Sequence, residues 1–323
     1  MNFKTLFSAI ALIAGSLSAL NTQAASTTEG LMLYQFQSSR PVPVDTSLSL
    51  MKTYIGETPE TVVPGRDQTV RFVSPKDPNT RFEQNLKTGD IRFHRNFARY
   101  LGDYAPKLPG TEEAMKAAHV FLEENKLLPR DESQLNLIHV GGLRMTSTDG
   151  KEPGAIIDKL ITLNYSRVIN DMPVIGPGSK IVIDVGEEGE ILGLTRQWRE
   201  LNTEGKPISP NEMYSFDEAI RLANQQLHEE FGENAQFEFL QTKIAYFDNN
   251  GKYLQPVYAF ETQVYLPNAG TTDDGVRPFN YVSVIPVMID SPEKLQLTKL
   301  DPRALRAIKI ADESITPIIK RSE

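Results

Sequence analysis

The sequence predicts an α+β fold made of modules, each a helix packed on an antiparallel sheet. Three observations carry this expectation. Amphipathic helix patterns with N-terminal capping signals begin at Thr111 and again at Ser215. Each is followed by short apolar–polar alternations separated by glycine-bearing turns, the signature of hairpins rather than of parallel crossovers. The two helix starts lie about 100 residues apart, too far for a solenoid repeat and suited to separate modules.

The elements follow in order. Lys4 gives a positive n-region, Leu6 to Leu20 an apolar h-region, and Thr22-Gln23-Ala24 a small-residue cleavage pattern. Residues 1–24 therefore read as a secretory signal peptide, too short and too interrupted for a membrane span. Residues 25–107 read as an N-terminal β-rich region. Its first part, to about residue 47, is polar and carries Pro41 and Pro43, which suggests an extended lead-in. Strand patterns follow at Thr69–Val73, Arg81–Leu86 and Asp90–Phe93, the last two joined by the turn Lys87-Thr88-Gly89.

Residues 108–206 form the next unit. Thr111-Glu112-Glu113 opens a helix whose stripe is Ala114, Ala118, Phe121 and Leu122, ended by Leu128-Pro129. Strands are expected at Leu135–Val140, Leu160–Val168, Lys180–Val185 and Glu190–Leu194, with turns at Asp171 and Gly189. Residues 207–323 form the last unit. Ser215 and Glu218 make a capping box, and Phe216, Ala219, Ile220, Ala223, Leu227 and Phe231 form the stripe of a second helix that stops at Gly232. Strands are expected at Thr242–Phe247, Tyr258–Tyr265 and Tyr281–Ile289, with a polar loop from Pro267 to Pro278 and a last helix from Asp301-Pro302.

The run from Tyr165 to Gly176 (YSRVINDMPVIG), with Ile181–Asp184 and the turn at Gly189 behind it, resembles the core of PepSY-type domains. The first glycine of that family's turn is Asp171 here, a residue that tolerates the left-handed region. Leu254-Gln255-Pro256-Val257-Tyr258-Ala259-Phe260 is similar to a second strand motif of the same domains. Such domains occur in propeptides of thermolysin-like metalloproteases, often beside a companion propeptide module, and as stand-alone exported proteins. The resemblance implies binding to, inhibiting or chaperoning a partner protein, without chemistry of its own.

Composition narrows the function classes. The chain has no cysteine, so cysteine nucleophiles, thiolate ligands and disulfides are excluded. Its net charge of −8 argues against nucleic acid and against electrostatic docking on anionic lipid. The nearest approach to a zinc-protease helix is His228-Glu229-Glu230-Phe231-Gly232, where Gly232 stands in place of the second histidine. His94, His119 and His139 stand singly. Gly176-Pro177-Gly178-Ser179 lacks the strand–turn–helix setting of a hydrolase elbow and reads as a turn. Asp248-Asn249-Asn250-Gly251 lacks the EF-hand glutamate, since Ala259 occupies that position, and also reads as a turn. Glu112/Glu113, Glu187/Glu188/Glu190 and Asp273/Asp274 lie at helix starts and turns, where solvated acids are ordinary.

No catalytic residue, cofactor or metal is expected. The candidate partner-binding residues are Tyr165, Arg167, Arg196, Trp198 and Arg199. An aromatic flanked by arginines suits an interface hot spot; equally, Trp198 could pack the end of its sheet with the arginine heads in water. The leading expectation is a non-enzymatic exported protein acting on a partner protein, as inhibitor or chaperone, in the periplasm or outside the cell. The alternatives are a small-molecule or lipid carrier, and a hydrolase with an unrecognised carboxylate pair.

Overall fold

The structure is a computed structural model that describes residues 30–38, 41–57, 59, 62–95, 98–148, 153–202, 204–266 and 278–295. The expected signal peptide, the expected last helix from Asp301 and nearly all of the expected loop after Pro267 lie outside these residues. Among the described residues the strands are β1 (Met32–Gln35), β2 (Thr69–Val73), β3 (Arg81–Asn85), β4 (Ile91–His94), β5 (Leu135–Thr148), β6 (Pro153–Ile169), β7 (Met172–Ile175), β8 (Lys180–Val185), β9 (Ile191–Gln197), β10 (Lys206–Pro207), β11 (Gln236–Asp248), β12 (Tyr253–Tyr265) and β13 (Phe279–Pro286). The helices are α1 (Val44–Ile55), α2 (Thr111–Glu124) and α3 (Phe216–Phe231).

The strands join into one mixed sheet of 13, in the order β10-β1-β12-β11-β7-β6-β8-β9-β4-β3-β2, with β13 beside β12 and β5 beside β6. This overturns the expected fold class of PepSY-like modules, each a helix on its own antiparallel sheet. The reason lies in β7. It pairs antiparallel with β6 through Val168↔Pro173 and Ile169↔Met172, and parallel with β11 through Tyr246↔Val174 and Phe247↔Ile175. Backbone groups that two separate sheets would leave at their edges are thereby paired with each other.

The turn between β6 and β7 is tight because Asn170 and Asp171 both take positive φ, 48° and 63°. That is the backbone of a type I′ hairpin, whose twist matches the strands it joins. Gly89 and Gly189, at φ 79° and 84°, serve the turns after β3 and before β9.

The lead-in is more structured than its composition suggests. β1 pairs with β10 and β12, and α1 begins at Val44, directly after Pro43. α1 buries Ser47, Met51 and Tyr54, a stripe at 3–4 spacing, and α2 buries Ala114, Ala118 and Leu122. Both stripes close over Phe82, Phe93, Leu163, Ile181, Ile183 and Leu194 in the main core, where Tyr54 stacks on Phe93 at 4.8 Å. α3 is capped by Ser215, whose side chain accepts from the Glu218 N–H, and ends at Gly232 (φ 95°). It buries Ala219, Ala223 and Leu227; the first two pack in a second core with Ile244, Phe260 and Ile285. Between the cores, where the sheet is joined by β7, sit Phe36, Ile169, Val174, Tyr246 and Leu254.

Candidate functional site

Four of the five sequence candidates meet at this join. Arg167 is near the C-terminal end of β6, on the face that Leu163 and Tyr165 share by alternation. It is 1 % exposed. Its Nη2 donates to the Arg199 carbonyl at 2.6 Å, and its guanidinium carbon lies 4.2 Å from the Trp198 ring centroid and 5.7 Å from that of Phe36. Burial lowers the Arg167 pKa to about 10, and the charges of Asp248 and Glu200 resist that fall. The two aromatic faces supply electron density where, among the described residues, no acceptor meets Nε or Nη1.

Arg199 crosses from one side of the join to the other. Its Nη2 donates to Asp248 Oδ1 at 2.8 Å, its Nη1 to the Gly251 carbonyl, and its guanidinium carbon lies 3.8 Å from the Phe36 centroid. Asp248, at the end of β11, is 1 % exposed, and its second oxygen accepts from Ser179 Oγ at 2.6 Å. The Asn250 N–H also donates to Oδ1, at 2.9 Å. A desolvated carboxylate is stable only with such a full set of donors. Gly178 makes room for it, since a Cβ there would stand 2.3 Å from Asp248 Oδ2. At Gly176, φ 108°, a Cβ would stand 2.6 Å from the Asp248 carbonyl oxygen. The Gly176–Ser179 turn is thus the cradle of Asp248.

Trp198 is 3 % exposed and packs in the main core. Arg196 is held by the carbonyls of Leu127 (2.7 Å, from Nε) and Trp198 (3.1 Å, from Nη1), and burial lowers its pKa. Tyr165 packs half-buried against the same core, away from the Arg199–Asp248 pair, and burial raises its hydroxyl. The arrangement ties the two parts of the sheet together: Arg199 is paired with Asp248, and Arg167 and Arg196 are held by carbonyls and aromatic faces. Phe36, Ser179 and Asp248 belong to it and were not singled out by sequence. The sequence signal available for Asp248 was the conjunction of two turn-like runs, Gly176–Ser179 and Asp248–Gly251, which nothing local links.

A second cluster lies on the other face of β6, β8, β9 and β4. Thr162 Oγ1 donates to Asp184 Oδ1 at 2.7 Å. A Cβ at Gly193 would stand 2.7 Å from Asp184 Oδ2 and 3.1 Å from His94 Nδ1, so carboxyl and imidazole share the space that this glycine leaves. Burial raises the Asp184 pKa and lowers that of His94. No group of three or more His, Asp or Glu that could hold a metal occurs among the described residues.

The third feature is exposed. β5 and the first half of β6 form a two-stranded arm. β6 pairs with β8 only from Ile161 to Ser166, whereas its pairing with β5 runs from Pro153 to Arg167. Leu143 and Ile156 are exposed large apolar side chains on this arm, and Ile156 reaches 72 %; Ile138 and Val140 are exposed further back on β5, beside the part of β6 that β8 also pairs. The root of the arm is fixed by Lys159, which is buried and donates to the Gly102 carbonyl at 2.7 Å and to the Tyr104 carbonyl. Leu101 and Tyr104, in that same loop, are also exposed. Arg144 and Asp158 pair across the arm at 2.6 Å. Gly142 permits a close crossing, since a Cβ there would stand 2.2 Å from the Leu160 carbonyl oxygen.

No family model matches the chain, and no curated protein matches it. Among solved structures it is similar to an uncharacterized protein from Eubacterium rectale, at 11 % identity and a TM-score of 0.43, over 82 % of this chain and 86 % of that one. It is also similar to the YpeB C-terminal domain of Bacillus megaterium, at 13 % identity and a TM-score of 0.33, over 76 % of this chain and 99 % of that one.

Proposed function

We propose that this chain is an exported, non-enzymatic binding protein that acts on a partner protein as an inhibitor or chaperone-like escort. One observation carries the reading: β5 and the first half of β6 hold four exposed large apolar side chains, Ile138, Val140, Leu143 and Ile156, where β5 pairs with no strand but β6 among the described residues. Clustered exposed apolar side chains mark interaction surfaces more often than isolated ones do. The PepSY-like run from Tyr165 to Gly176 supports a partner-protein role, and the leader pattern at residues 1–24 supports export. Among the described residues no helix is long and apolar enough to cross a membrane.

In this reading Arg167, Trp198 and Arg199 act from inside, by tying the two parts of the sheet together at the far end of β6 from the arm. The test is capture of a partner by the tagged mature protein from the extracytoplasmic fraction, followed by titration of the purified pair. Saturable binding that Ile156→Ser and Ile138→Ser weaken at least tenfold is the expected result. Unchanged binding by both variants, or turnover of a substrate by the purified protein, overturns the reading.

A further inference from the structure

We infer that the partner engages as an added β-strand, its extended backbone pairing with the open edge of β5. This rests on the binding-protein reading and specifies its chemistry. Among the described residues the sheet ends in β10, β2, β13 and β5, and β6 and β11 also have open edges, over 153–160 and 236–245; the first carries Pro153, Asp158 and Lys159, the second Glu238, Lys243 and a register shift between Phe239 and Gln241. Proteins protect such edges by shortness, charge, proline or bulges. β10 is only Lys206-Pro207; β2 has five residues, with Arg71 ion-paired to Asp67; β13 closes on Pro286. β5 is 14 residues long and contains neither lysine nor proline. Its bulges leave an unbroken run, His139–Leu143 opposite Asn164–Leu160. Four of those five residues (His139, Val140, Gly142 and Leu143), and Ile138 just before them, are exposed, and no strand among the described residues pairs with the other edge of β5.

The occupant follows from the same residues. Beyond Leu143 the β5–β6 ribbon has two strands only, which is marginal in water, and a third strand continuing along β5 stabilises it. A row of unpaired edge N–H and C=O groups is matched in register by an added extended backbone. β5 carries no carboxylate and holds His139 and Arg144, while the chain as a whole has a net charge of −8. Like charges directly opposite in a sheet are unfavourable. The partner segment is therefore an extended, largely apolar strand without lysine or arginine opposite Arg144.

The probe is a short labelled peptide of alternating valine and threonine, and the same peptide N-methylated at every amide. N-methylation removes the donors along both edges and leaves the side chains in place. With intact mature protein, the unmodified peptide is expected to bind saturably and to slow exchange of β5 amides at least tenfold. The N-methylated peptide and the Ile138→Lys variant are each expected to bind at least tenfold more weakly, with the unfolding midpoint of the variant unchanged. Equal binding of both peptides, no binding of either, or protection at β13 or β2 instead overturns the inference. So does protection of β5 in the protein alone together with a dimer in sedimentation, which would assign the edge to a second copy. A captured natural partner that the N-methylated peptide competes for as well as the unmodified one would sink strand addition and leave the binding reading standing. Peptide addition to β5 with no partner in the extracytoplasmic fraction would do the reverse.

Discussion

The two halves of β6 differ in fate far more than in composition. Residues 153–160 and 161–169 are one strand with comparable apolar content. The second half is flanked by β5 and β8 and covered by α2, and Leu163 there is fully buried. The first half has β5 alone, and Ile156 there is 72 % exposed. Burial along this strand is set by how many neighbours each half acquires, which is a property of the topology. The central half does structural work through the Arg167 junction; the outer half leaves apolar surface and hydrogen-bonding edge free.

The largest expected effect is at the junction. Asp248→Ala leaves the Arg199 guanidinium without its carboxylate and Ser179 Oγ without its acceptor, both largely out of water. Breaking a buried pair from one side costs about 3–5 kcal/mol. Denaturant unfolding should show that loss with the slope unchanged. A loss below about 1 kcal/mol, the worth of a surface pair, would mean that β7 pairing alone joins the two parts of the sheet. Removing both charges together, as Asp248→Leu with Arg199→Met, should cost less than either single change, because no unpaired ion is left.

Leu163→Ala comes next. The side chain is fully buried among Ile181, Ile183 and the α2 stripe, and such truncations cost about 2–5 kcal/mol. The chevron or equilibrium midpoint that reports it also sets the scale for the outer half of the strand.

Much of this structure was legible in local signals, and the rest was not for a physical reason. The capped starts and buried stripes of α2 and α3, the glycine turns at Gly89 and Gly189, and the left-handed Asp171 are all decided within a few residues. α1 escaped because Pro43, at its N-cap, offers no side-chain acceptor and Ser47 breaks the apolar stripe it buries. The single sheet escaped because β7 meets β11 through two residue pairs, Val174 with Tyr246 and Ile175 with Phe247, far apart in sequence. The inward placement of Trp198 and Arg167 depends likewise on Phe36 and Asp248, contributed from opposite ends of the chain. The sequence pointed to the arginines and the tryptophan as notable; which way they face was a tertiary fact.

A smaller effect is expected from pH, on the open face of the central half. His94 is held below its ordinary value of 6.5, chiefly by burial, against the pull of Asp184 and Glu83 and with Arg81 and Arg92 adding to the fall. As pH drops the unfolded chain therefore takes up the imidazole proton first, so stability is lost as pH falls through the ordinary histidine range. Asp184 is raised by burial, against Thr162 and His94. Its folded carboxyl keeps a proton that the unfolded chain releases, so its contribution is lost as pH rises above the ordinary carboxylate value. His94→Gln should flatten the stability profile between about pH 7 and about pH 5.5, measured as unfolding midpoints across that range. A variant profile that still falls as steeply as the parent's would remove His94 as the cause.

The smallest stability effect marks the arm itself. Ile156→Ser removes a side chain that is 72 % exposed and faces no covering strand or helix, and surface changes of this kind stay within about 0.5 kcal/mol. Set against the cost at Leu163, the near-silence of Ile156 would show that the fold gains little from keeping isoleucine there. The comparison then turns on binding. If Ile156→Ser is silent in unfolding yet weakens partner capture tenfold, the residue is kept for contact, and the outer half of β6 serves the surface while the inner half serves the core. If it lowers the unfolding midpoint as much as Leu163→Ala, the arm is packed in solution against something the isolated chain supplies, and its open edge is not available to a partner.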